Sequence, residues 1–106
     1  MTDFVQVSTA TPEREQAVAL AQGAVRARLA AGAQITGPVV SVFWHLGEFG
    51  EGEEWKLQLT TTRDRYAELE KHLLDNHPWD NPEVIAVPIE GSAGCLKWIK
   101  DSVEPV

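Results

Sequence analysis

One cysteine and one methionine are spread over 106 residues, and no apolar run approaches the length of a membrane helix. A lone Cys95 cannot close an internal disulfide, which agrees with a reducing compartment. A membrane span needs roughly 20 consecutive apolar residues, so none is expected. Positive charge is also scarce: nine Lys and Arg face sixteen Asp and Glu, a net charge of −7. Repulsion from phosphate then argues against DNA or RNA as a partner and leaves cations or neutral ligands, while the same excess keeps a chain in solution. The start Met1-Thr2-Asp3-Phe4 has no basic region and runs straight into strand-like residues, so a signal peptide is not expected and a cytoplasmic location is. Catalytic signatures are missing too. There is no nucleotide-binding glycine loop, no nucleophile elbow, no paired-cysteine metal motif and no His-Glu-x-x-His, and we expect no enzyme.

The length fits one domain, residues 1–106, and 43% hydrophobic with 24% charged residues is a globular composition. Residues 3–9 alternate as a strand, with Val5 and Val7 on one face and Gln6 and Ser8 on the other. Thr11 reads as a helix N-cap, with Pro12 at the first helical position. Ala17, Leu20, Ala21, Ala24 and Val25 then form a stripe of mostly small residues, and Gly32 ends the helix near residue 31. From Ala33 to Leu46 the period becomes two. Val40, Val42, Trp44 and Leu46 share one face and Val39, Ser41, Phe43 and His45 the other, so both faces are expected to be covered. Gly47 to Gly52 reads as a hairpin turn, followed by a strand from about Glu53 to Thr61.

Helical spacing returns over 62–75 through Tyr66, Leu69, Leu73 and Leu74. A connector from Asn76 leads to Val84-Ile85-Ala86-Val87, a short apolar strand of the kind found in a sheet centre. Gly91 and Ser92 open a last helix whose stripe is Cys95, Leu96, Ile99 and Val103, with Cys95 read as a small buried hydrophobe. The order β-α-β-β-α-β plus a C-terminal helix predicts an α+β, ferredoxin-like split βαβ fold: an antiparallel sheet with helices on one face.

The hairpin is too long for so small a domain. Its tip projects past the other strands carrying Phe43, Trp44 and Trp55, and it exposes edges and apolar surface unless other copies cover them. A homo-oligomer follows.

The stretch His77-Pro78-Trp79-Asp80-Asn81-Pro82-Glu83 is the candidate binding corner. Two prolines four apart belong in neither a helix interior nor a central strand, and they hold an imidazole, an indole and a carboxylate close together. His77 is either a metal ligand or a hydrogen-bonding pin, Glu83 either a ligand or half of an ion pair, and Trp79 either a stacking platform or interface packing. The acidic tip Glu48, Glu51, Glu53 and Glu54 lacks calcium-loop spacing and reads as a solvated turn. His45 and His72 stand isolated.

Four stretches, Val7-Ser8-Thr9-Ala10, Arg28-Leu29-Ala30-Ala31, Phe43-Trp44 running on to Glu54 and Leu59-Thr60-Thr61, and the His77–Val84 corner followed by Leu96-Lys97-Trp98-Ile99, are similar to the CutA family of divalent-cation-tolerance proteins. The resemblance spans nearly the whole chain. It implies a ferredoxin-like subunit in a homotrimer with shared hairpins, copper or other divalent-cation binding in some members, a role in metal tolerance, and no established catalysis. On that basis His77 and Glu83 are the metal candidates, for copper or zinc, with no cofactor required. Trp44, Glu54, Thr60, Thr61, Trp79 and Trp98 are the expected cleft and interface residues. The chain departs from the family pattern where Ser8 replaces a cysteine, Gly32 another cysteine, Asn76 the first of paired histidines, Thr60 a lysine, and Trp79 and Cys95 tyrosines. Soft ligands are thereby depleted. A similar subunit architecture in PII-like signalling trimers supplies the alternative, a small-molecule sensor that binds no metal.

Overall fold

The computed structural model describes residues 3–105. Its elements are β1 (Phe4–Thr11), α1 (Arg14–Arg26), β2 (Gly32–His45), β3 (Glu48–Thr62), α2 (Arg63–Asn76), β4 (Ile85–Pro88) and α3 (Ala93–Val103). The four strands form one antiparallel sheet in the order β2-β3-β1-β4, which is the expected α+β, split βαβ arrangement. Alternation turns Val5, Val7, Leu57 and Leu59 toward the helices. There they bury against Ala17, Leu20, Ala21 and Ala24 of α1 and Leu69 and Leu73 of α2. The small residues of α1 let the helices approach closely: a Cβ on Gly23 would stand 2.8 Å from the His72 ring.

Element ends differ from expectation for local reasons. Thr11 is not an N-cap. It pairs with Trp55 as the last residue of β1, its hydroxyl donates to the Glu13 carbonyl at 2.8 Å, and α1 starts only at Arg14. Glu13 is the N-cap, its amide donating to the Gln16 side chain at 3.1 Å. The same helix stops at Arg26, before the expected end at residue 31. Leu29 N–H reaches the Ala24 carbonyl and Arg28 N–H the Val25 carbonyl, with Arg28 at φ +60°, so an arginine closes the helix in the left-handed position usually given to glycine. Gly32 instead opens β2, beneath the Trp98 ring, which a Cβ there would meet at 3.0 Å.

The hairpin turn is only Leu46-Gly47, at φ +51° and +80°, the left-handed pair that matches strand twist, and not the segment Gly47 to Gly52. β3, at 15 residues, is correspondingly longer than the expected Glu53 to Thr61, while β2 has the expected 14. Their ladder is interrupted once, between Thr36 and Val39, where Gly37 and Pro38 on β2 face Trp55 alone on β3. That extra residue is a β-bulge, and Gly37 is required beside it because a Cβ would lie 2.7 Å from the Trp55 ring. Beyond the bulge no other element among the described residues covers either face of the ribbon. Val40, Val42, Phe43, Trp44 and Phe49 are exposed, Trp44 by 76%.

Two further expectations fail. The short apolar strand β4 lies at the sheet edge, not its centre, with Ile85 and Val87 half-exposed on the face away from the helices. Cys95 is exposed, because α3 buries Ile99 and Val103 in its last turns while its first turn runs clear of the core. Among the described residues no helix is long and apolar enough to cross a membrane.

Candidate functional site

His77 caps the C-terminus of α2 in an extended conformation, φ −77° and ψ 143°, because the following Pro78 disfavours a helical turn. Its ring is engaged on both sides. Nε2 lies 2.8 Å from the Ala10 carbonyl oxygen and 3.2 Å from the Thr9 hydroxyl. Nδ1 accepts the Trp79 amide at 3.1 Å, and the two rings lie 5.4 Å apart at a 35° tilt. A carbonyl only accepts, so Nε2 carries the hydrogen and Nδ1 the lone pair. Burial holds the imidazole below its ordinary pKa, opposed by the Ala10 hydrogen bond, so the ring is neutral at pH 7.

Glu83 is exposed one residue past the buried Pro82. His72 bonds elsewhere, with Nε2 3.3 Å from the Leu20 carbonyl and Asn76 Nδ2 donating to its own carbonyl at 2.8 Å. His72 and Asn76 edge an open groove of about 420 Å³ between α1 and α2, lined also by Gln16, Leu20, Gly23 and Pro78. In α2, burial and the neighbouring Glu70 carboxylate, 2.8 Å from the hydroxyl, push the Tyr66 phenol up to about 12.

The other expected cleft residues fall into separate places. Glu54, half-buried opposite Val39, marks the base of the arm, at the same end of the sheet as His77. Thr60 and Thr61 pair with Gln6 and Val5 toward the other end. Thr61 is buried and donates to the Leu29 carbonyl at 2.7 Å, so its hydroxyl is spent on the fold. Trp98 lies half-exposed against Gly32 at that end too. Trp44 is out on the arm, edge-on to Phe49 at 6.1 Å. Sequence reasoning missed Thr9 and Phe49. Thr9 was visible as a polar residue on the buried face of β1, and Phe49 was hidden inside the presumed turn.

A soft-metal site is not assembled within one chain. Among the described residues no three His, Cys, Asp or Glu side chains gather, and both His77 nitrogens are committed.

The model of the CutA1 divalent ion tolerance protein family matches residues 5–102. The chain belongs to this family. A CutA relative named a divalent-cation tolerance protein, from Thermus thermophilus, is 33% identical over 86% of this chain and 89% of its own length. A solved Thermus thermophilus CutA1 structure superposes with a TM-score of 0.91 at 30% identity, over 95% of this chain and 99% of that one. A chloroplastic CutA from rice is 33% identical over 92% of this chain but only 56% of its own, so the chain spans about half the length of such plant relatives. The family is named for tolerance of divalent cations and not for a catalysed reaction.

Proposed function

We propose that this CutA chain works as a cytoplasmic homotrimer in the response to divalent metal ions, holding copper, zinc or another divalent cation weakly at clefts between copies. The uncovered arm carries this reading. Val40, Val42, Phe43, Trp44 and Phe49 form an exposed apolar surface that no other element among the described residues covers, on a strand pair whose outer edge is open. Light scattering tests it: a mass three times the 11.7 kDa chain supports the assembly, and a lone 11.7 kDa particle overturns it.

Cation contact is the finer part of the reading. Glu83 is the exposed oxygen ligand beside the corner; His77 could join it only by surrendering a hydrogen bond, so few donors are free there and affinity is low. No redox step or catalysis is involved. Calorimetric titration with copper, zinc, cadmium and magnesium on the wild type and Glu83→Gln measures it, and equal uptake by both removes Glu83 from the site. The commitment of both His77 nitrogens also favours a second reading, a PII-like sensor of small molecules. A thermal-shift screen with nucleotides and carboxylate metabolites separates the two, since a ligand at 100 times its Kd stabilises by about 2.7 kcal/mol.

A further inference from the structure

We infer that His77 is a positioning residue, fixed as its Nε2–H tautomer to stand in for a missing strand amide, and that it is not a ligand for a divalent cation. Ile89 N–H donates to the Phe4 carbonyl across the β1–β4 ladder, so Phe4, Gln6, Ser8 and Ala10 present their backbone groups to that side. Pairing with β4 covers β1 only from Val5 to Ser8, because the chain before Ile85 is the corner bounded by Pro78 and Pro82. The next carbonyl in the row, Ala10, therefore lacks a strand donor on this side. The imidazole supplies one at 2.8 Å, and on its opposite side it accepts the Trp79 amide at 3.1 Å.

The donor set opposes coordination from two directions. A cation on Nε2 strips the Ala10 bond, and one on Nδ1 displaces the Trp79 amide; either leaves a part-buried backbone group unpaired. Strand alternation also puts the Ser8 side chain on the face of β1 opposite Thr9, whose hydroxyl is the one beside His77. The ring thus meets no second side-chain ligand from β1 beyond a weak hydroxyl. All three contacts of the ring lie within one chain.

Long-range proton–nitrogen correlation on the 15N-labelled wild type reads the tautomer directly. The expected result is an Nε2–H imidazole for His77, with ring signals unmoved by excess zinc. An Nδ1–H form, or a saturable zinc-induced shift of that ring, overturns the inference. Three variants sharpen it: His77→Asn keeps an acceptor near the position of Nδ1, His77→Gln keeps a donor near that of Nε2, and His77→Ala keeps neither. Exchange of the Trp79 amide should quicken by about tenfold in His77→Ala, the loss of one hydrogen bond, and return toward wild type in His77→Asn. Zinc uptake that survives in all three variants supports the inference and leaves the divalent-cation reading intact elsewhere on the molecule. Uptake present in the wild type and lost equally in all three overturns the inference while sustaining that reading.

Discussion

The two halves of the β2–β3 ribbon are built from the same strand chemistry and meet opposite fates. In the proximal half, Leu57 and Leu59 are fully buried, with Ala33 and Ile35 packed beside them under the helices. In the distal half, Val40, Val42 and Trp44 alternate just as regularly, yet no helix lies over them and Trp44 stays 76% exposed. Periodicity therefore marks an apolar face and says nothing about whether the chain itself covers it. The proximal half is a core; the distal half is an exposed apolar surface.

The largest effect should come from hollowing the proximal half. Leu59→Ala is expected to cost about 2–5 kcal/mol in chemical denaturation, since a fully buried leucine leaves a cavity as well as lost transfer energy. If its effect were no larger than that of an arm substitution, the two halves would not differ as described. Trp44→Glu should do the reverse, leaving the secondary structure intact by circular dichroism while light scattering reports a shift toward the 11.7 kDa monomer. Beside the end of β1, His77→Ala should lose about 1–2 kcal/mol through two broken hydrogen bonds.

Acid should act on the same ring more gently. Burial lowers the His77 pKa beneath its ordinary 6.5, so the unfolded chain takes up a proton at higher pH than the folded one. The contribution is intact above pH 6.5, declines as pH falls through that value, and levels off below the folded pKa. Urea midpoints between pH 8 and about 5, compared with His77→Asn, check the sign. The smallest change is expected on the solvent face of α2. There Lys71 and Asp75, paired at 2.6 Å but both largely exposed, should give about 0.3–0.5 kcal/mol on Lys71→Ala.

Much of the fold was legible because its strongest signals are periodic. Leu57, Leu59 and Thr61 announced the buried face of β3, and the alanines of α1 announced a close helix. What escaped was settled by single hydrogen bonds or by tertiary order. No local signal reveals that Arg28 adopts the left-handed position, because its guanidinium meets the Ser102 carbonyl at 3.2 Å, far away in sequence. The apolar run of β4 reads as central until the strand order places it at an edge, where exposed Ile85 and Val87 lie on the face opposite the helices. At the candidate site, the residue types were readable but the allegiance of each nitrogen was not. His77 beside Pro78 suggested a pin or a ligand; only the Ala10 carbonyl, 67 residues away, shows where the hydrogen goes.

The Gly37-Pro38 insertion sets the parity of everything beyond it on β2. Upstream, odd-numbered Ala33 and Ile35 face the helices; downstream, even-numbered Val40, Val42 and Trp44 continue that side, opposite Glu53, Glu51 and Phe49. Deleting one of those two residues would turn the strand over like a ribbon given half a twist. Ser41, Phe43 and His45 would appear where the indole now stands, and in the proposed trimer a neighbouring copy would meet the wrong side.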